Sequence, residues 1–320
     1  MSVLSRIRRR FGPTGRRSDR GAVSALVALS LLPISAVTAV GVDAGRVFVE
    51  RQRIQTAAEA AALAAASDWY RTGVACGVAR SGFVDANAGV EASDTCTTTG
   101  SRFGGVVTVA ASKDVDAVFD SLVGRSTTIV DSTASVRIGP AASVSGLRPT
   151  ALCERTPALA AWRASGYSTT QNFTIGITGD CQGVPGNWGV LDFDGGANRT
   201  TDLQDWIDRG WSGPVQVGQE FSGDPGVPSP ALRMDSVIGR TISVPVYDSV
   251  RQEGSNSIYR VSSFVTMTVV AAQLSGAESS RYLLVRFATA TVGGSVGGSA
   301  PNLGTLALQA CSLDGRGVCS

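Results

Sequence analysis

Residues 21–67 read GAVSALVALSLLPISAVTAVGVDAGRVFVERQRIQTAAEAAALAAAS, an apolar run that passes without a clear break into a charged amphipathic helix. Positions 22–42 are 21 residues without a charge, and at about 1.5 Å per residue such a helix just crosses a hydrocarbon core of about 30 Å. A membrane-spanning helix is therefore predicted. Before it stand Arg6, Arg8, Arg9, Arg10, Arg16, Arg17 and Arg20 against Asp19 alone, a basic flank of the kind that stays in the cytoplasm. Residues 43–320 are then expected on the far side of the cell membrane. A cleaved secretory signal competes with this reading, since a basic region followed by an apolar one describes both. The run exceeds the roughly 7 to 15 residues of a signal core, and no convincing small-x-small site follows it, so an uncleaved single-pass anchor is favoured. Pro33 should kink the span, a fault that a bilayer accommodates.

After the span, Val47, Ile54, Ala58, Ala61 and Ala65 recur at helical steps, while Arg46, Glu50 and Arg53 fall on another side. The alanine-rich end has the highest helix propensity there is. Gly41 and Gly45 are the expected bends if this helix continues the span. The alanine stripe permits close packing, either on the protein's own sheet, which is the preferred reading, or between subunits as a self-association surface.

Seven arginines and one aspartate place +6 on the first 20 residues, which leaves −4 on residues 21–320 of the +2 total. A nucleic-acid partner is excluded on that ground, because phosphate binding needs basic groups clustered on the folded part. The chain has no histidine, and Lys113 is its only lysine. That removes Ser-His-Asp and Cys-His catalysis and the common zinc sites, so neither an enzyme nor a cofactor is expected. Cys76, Cys96, Cys153, Cys181, Cys311 and Cys319 lie on the side expected to be oxidising, and three disulfides follow. Six cysteines allow about 15 pairings; 76 with 96, 153 with 181 and 311 with 319 are preferred because each closes a short loop.

The N-terminal stretch resembles the TadE/TadG-like kind of Tad (tight adherence) pilus-assembly proteins. In that family an Arg-Gly precedes the apolar helix, and a Val-Asp-x-Gly-Arg turn precedes a helix ending in Gln-x-Ala-Ala-Asp-Ala-Ala-Ala-Leu-Ala. Here stand Arg20, Gly21, Val42, Asp43, Gly45, Arg46, Gln55, Ala57, Ala58, Ala60, Ala61, Ala62, Leu63 and Ala64, with Glu59 in place of the usual Asp. Processed pilins carry Glu at the fifth position after the cleavage glycine, whereas the fifth residue after Gly21 is Leu26. The resemblance, with that departure, implies an uncleaved assembly component whose partners are other pilus-assembly proteins. A weaker similarity to the outer region of such proteins runs through Gly186-Asn187-Trp188-Gly189, residues 202–207 and residues 242–248.

The fold class expected is α+β. A transmembrane helix (21–42, after a cytoplasmic basic segment at 1–20) continues into an amphipathic helix packed on a small strand-helix-strand module, the whole pilin-like part covering 43–139. Residues 68–105 read as a loop; residues 106–109 and 127–138 read as strands, with a short helix at 115–123. A Gly/Ser/Pro linker follows at 140–150. Then comes a mainly β exported domain at 151–292, with a helix at 201–210, a hairpin over 241–270 turning near 253–256, and a strand at 281–292. A Gly-rich connector and disulfide-bearing tail close the chain at 293–320.

Two weak metal candidates stand out. Asp131, Thr133 and Ser135 have the D-x-[ST]-x-S spacing of a divalent-ion adhesion site, although period-2 spacing is also what one strand face presents. Asp192 and Asp194 in LDFDGGAN resemble the start of a calcium loop without EF-hand spacing, against an ordinary Asp-Gly turn. Trp162, Trp188, Trp206 and Trp211 offer either core packing or a sugar-binding surface. Two functions follow: a non-catalytic anchored component of pilus assembly or cell-surface attachment, contacting the bilayer through 22–42, or a surface module binding cell-wall glycan or a host ligand.

Overall fold

The computed structural model describes residues 20–119, 127–176, 189–195, 200–223, 234–251, 257–274, 280–298 and 300–311. They form two compact units. The first draws on 20–50, 114–119 and 127–129, and the second on the described residues of 51–113 and 130–311.

Helix α1 runs over Arg20–Thr72 as one uninterrupted element that includes Pro33. Gly41 and Gly45, expected as bends, leave it helical. In the first unit its apolar part is exposed all round: Leu26 is 68% exposed, Leu32 69% and Val37 74%. In the second unit the helix buries one face, Ile54, Ala57, Ala58, Ala61, Ala62, Ala65, Ala66, Trp69 and Tyr70. These come as neighbouring pairs repeating every four residues, the i, i+3, i+4 pattern of a helix packed on one side. The expected stripe gains a second alanine per turn, since a helix face is wider than a single row.

Residues 68–105 are not the loop expected. After α1 ends come helix α2 (Val78–Ala88) and strand β1 (Ser93–Ser101). The Thr-rich run looked structureless because β1 is an edge strand, exposed on most positions and without an apolar alternation. β-Branched threonine nevertheless suits a strand, and pairing with β2 (Gly104–Asp116) sets its register, Ser101 opposite Gly104. Buried Val107, Val109, Ala111 and Val115 alternate along β2. That alternation carries the strand to Asp116, so no helix begins at Val115; residues 120–123 of the expected helix lie outside the described residues. Strand β3 (Thr127–Pro140) falls where 127–138 was expected.

The segment expected as a linker is packed instead. Strand β4 (Ser143–Val144) pairs with β7 (Val215–Gln216), and Ala141, Val144 and Leu147 are buried. Glycine and small residues there serve close approach rather than freedom: a Cβ on Gly139 would stand 2.4 Å from Val296. Strand β5 (Leu152–Cys153), helix α3 (Pro157–Ala164), β6 (Phe173–Gly176) and α4 (Thr200–Arg209) follow, the last where a short helix was expected. Beyond β8 (Glu220–Ser222), β9 (Thr241–Arg251) and β10 (Ile258–Gln273) form the expected antiparallel pair, whose turn lies outside the described residues. The expected last strand divides into β11 (Tyr282–Ala288) and β12 (Ala290–Val292).

The strands make a six-stranded sheet in the order β5-β9-β10-β11-β6, with β8 also on β10, and a five-stranded sheet. The second runs β1-β2-β3-β13-β12, where β13 (Thr305–Ala310) comes from the region expected as connector and tail. Leu306 to Ala310 pair with Pro140 to Val136, so the end of the described chain completes the sheet begun by β1 to β3. The main core lies on the larger sheet, with Trp162, Tyr259, Phe264, Phe287 and Leu191 nearly or fully buried. An aromatic series ties the end of α1 to it. Tyr70 meets Phe103 at 6.2 Å, Phe103 meets Tyr167 at 4.8 Å, and Tyr167 meets Trp162 at 5.1 Å. Tyr70 also donates its hydroxyl to the Gly304 carbonyl at 3.0 Å.

Candidate functional site

The element with the most functional content is α1 and the chain that docks on it. Within the apolar run, Ser30, Ser35 and Thr38 donate their hydroxyls back to the carbonyls of Val27, Leu31 and Ile34 at 2.9, 2.7 and 2.8 Å. Each hydroxyl is thereby satisfied inside the helix, which lowers the cost of placing it in an apolar medium. The helix is long and apolar enough to cross a membrane; its most apolar 18-residue window averages a hydropathy of 2.2, with none of it buried.

Asp43 is the first charge after that run, yet it is only 6% exposed. Its carboxylate faces the chain just after β2, where Oδ1 accepts the Val118 N–H at 3.0 Å and Oδ2 the Phe119 N–H at 2.9 Å. Charge-assisted bonds of this kind are about twice as strong as neutral ones and offset the cost of burying the ion. Sequence reading placed Asp43 in a turn motif only. Nothing in the spacing connects it with residues 75 positions away.

The second unit holds Cys76 and Cys96 in a disulfide that closes 20 residues between the end of α1 and β1. Arg80 on α2 and Asp94 on β1 pair at 2.6 Å beside it. Cys153 and Cys311 are also disulfide-bonded, and Cys181 and Cys319 lie outside the described residues. Burial pushes the Tyr70 phenol up to about 12. Arg148, buried where a linker was expected, donates to the Gly146 and Asp208 carbonyls at 2.8 and 3.3 Å, and burial and then Arg240 hold its pKa below the usual range. Asp208 is held low chiefly by the Ser236 hydroxyl.

The metal candidates are not assembled into ligand sets. Asp131 is exposed, Thr133 half-buried, and Ser135 buried against the Thr108 hydroxyl at 2.8 Å. In an extended strand the outer two lie about 13 Å apart along the chain, too far to share one ion. Asp192 spends Oδ1 on the N–H groups of Asp194 and Gly195 at 3.2 and 2.9 Å, a local turn, and Asp194 is exposed. Among the described residues no group of three Asp, Glu or Cys side chains comes together to hold a metal ion. Trp162 and Trp206 are buried, and Trp211 packs at 5.3 Å from Trp206; Trp188 lies outside the described residues.

An open cleft of about 380 Å³ lies at the end of the β1–β2 hairpin, walled by Gly100, Gly104, Gly105, Gly139 and Gly297, with Arg137 as its charged side chain among the described residues. Gly100 has φ +82°, and a Cβ there would meet the Gly104 carbonyl at 2.6 Å, so glycine is required by the turn itself.

No curated protein and no solved structure matches the chain. A family model does match, over residues 21–68 or 48 of the 320, and it takes in the apolar half of α1, Asp43 and the alanine face. That stretch is similar to Tad, the Flp pilus-assembly TadE/G-like family, and with its membrane-length helix it fits a pilus-related membrane component.

Proposed function

We propose that this chain is a membrane-anchored, non-catalytic structural component of Tad/Flp-type pilus assembly or cell-surface attachment. Its N-terminus lies in the cytoplasm and residues 43–320 outside the cell membrane. The observation that carries the reading is the two-part helix: an apolar half exposed on every side, and an alanine half buried on one, within the stretch similar to the Tad family. Large apolar side chains on all faces are stable only in lipid or inside protein, and none of the described residues of this chain covers them. The disulfides suit an oxidising compartment outside the cytoplasm. Of the tryptophans offered for glycan binding, Trp162 and Trp206 are buried and serve packing instead.

Deletion of the coding sequence, with neighbouring genes intact, should reduce surface fibres and adhesion, and normal piliation would overturn the reading. Orientation is tested separately. Protease added to intact spheroplasts should remove residues beyond 50 while an epitope at the N-terminus stays protected.

A further inference from the structure

The first unit joins two features that the proposed function leaves unused. Asp43 follows directly on the charge-free run 22–42, so in a spanning helix its Cα lies at the outer edge of the hydrocarbon. Its carboxylate holds the backbone of Val118 and Phe119 at hydrogen-bond distance. Those two residues are therefore pinned level with the same edge, yet their side chains are 50% and 40% exposed. A charged group at a hydrocarbon boundary is costly unless paired, and here two amide N–H groups pair it. The groups that neutralise Asp43 thus bring an aromatic and a β-branched side chain to the depth where aromatic residues concentrate in membrane proteins. Arg46, exposed one turn further on, stands at the level where a guanidinium reaches lipid phosphates.

We infer that Val118 and Phe119 form a second membrane contact: a loop clamped by Asp43 that inserts its apolar side chains into the outer leaflet beside α1. The surface is continuous with the span, and its occupant is the acyl-chain and headgroup boundary of the bilayer. The loop fixes the depth and rotation of α1, because sliding or turning the helix would pull Phe119 into water. This inference rests on the proposed anchor.

The test uses the full chain in vesicles of phosphatidylethanolamine and phosphatidylglycerol doped with a phosphatidylcholine bearing a diazirine in its acyl chain. After irradiation, mass spectrometry locates the lipid adducts. Adducts are expected within 22–42 and also on Val118 or Phe119. Phe119→Ser, which leaves the backbone bonds to Asp43 intact, should lower labelling at 118–119 several-fold and leave 22–42 unchanged. Asp43→Asn should do the same by loosening the clamp, with the Cys76–Cys96 disulfide confirming that the protein is folded. Labelling of 22–42 with none at 118–119 overturns the second contact and leaves the anchor standing. Absence of adducts at both overturns the anchor with it.

Discussion

The two halves of α1 are one element of secondary structure in two environments. From Val23 to Val42 leucine, isoleucine and valine recur on every side of the helix and are exposed; from Ile54 to Tyr70 the buried side chains are mostly alanine, and they fall on a single face. Leucine and valine on all sides carry enough transfer free energy to favour lipid. Alanine carries little, so its contribution comes from letting the surface opposite approach the helix backbone closely. The lesson is that side-chain size and distribution, more than hydrophobic content, separate a helix made for a bilayer from one made for a protein interior.

Leu29→Arg should damage the first half most. A central arginine costs about 3 kcal/mol of insertion, and membrane fractionation should show the protein lost from the pellet. Gln55→Arg, at an exposed position of the second half, should leave both fractionation and melting unchanged. Replacing Cys76 and Cys96 together by serine releases the chain just after the buried half, and should remove about 3 kcal/mol of stability through loop entropy, read by urea unfolding of the solubilised protein. An overpacking pair sharpens the contrast. Ala61→Leu, fully buried, should cost about 2 kcal/mol, whereas Ala28→Leu in the exposed half should cost nothing measurable.

Among the destabilising changes the smallest loss is expected at Tyr70. Tyr70→Phe removes its bond to the Gly304 carbonyl and about 1 kcal/mol at neutral pH. The variant also reports on pH. The native phenol has its pKa raised from 10.0 to about 12, so its contribution is full below pH 10 and is lost as pH rises toward 12. Thermal unfolding between pH 9 and 12 should therefore fall less steeply in Tyr70→Phe than in the parent chain.

Asp43 and residues 140–150 show where reading from sequence stops. The motif around Asp43 was visible, but its partners are backbone N–H groups, which carry no side-chain identity and sit 75 and 76 positions away. Residues 139–149 have a linker's composition because glycine, serine and alanine serve equally for freedom and for close packing; only the neighbours, Val296 against Gly139 for one, distinguish the two uses. Strand β1 was missed for a related reason, since its partner β2 rather than its own pattern holds it in place.

What the sequence determined by itself is what depends on local chemistry. The charge-free run of membrane length, the helical step of the alanines, the missing histidine and the alternation of Ile242, Val244 and Val246 in β9 each follow from residues within a few turns of one another. Only the tertiary structure decided the long-range pairings. Strand β13 returns to β3 across more than half the chain, Tyr70 reaches Gly304, and Asp43 clamps Val118 and Phe119. Such contacts are selected by the shape and hydrogen-bonding needs of surfaces that exist only once the chain has folded, and no periodicity records them.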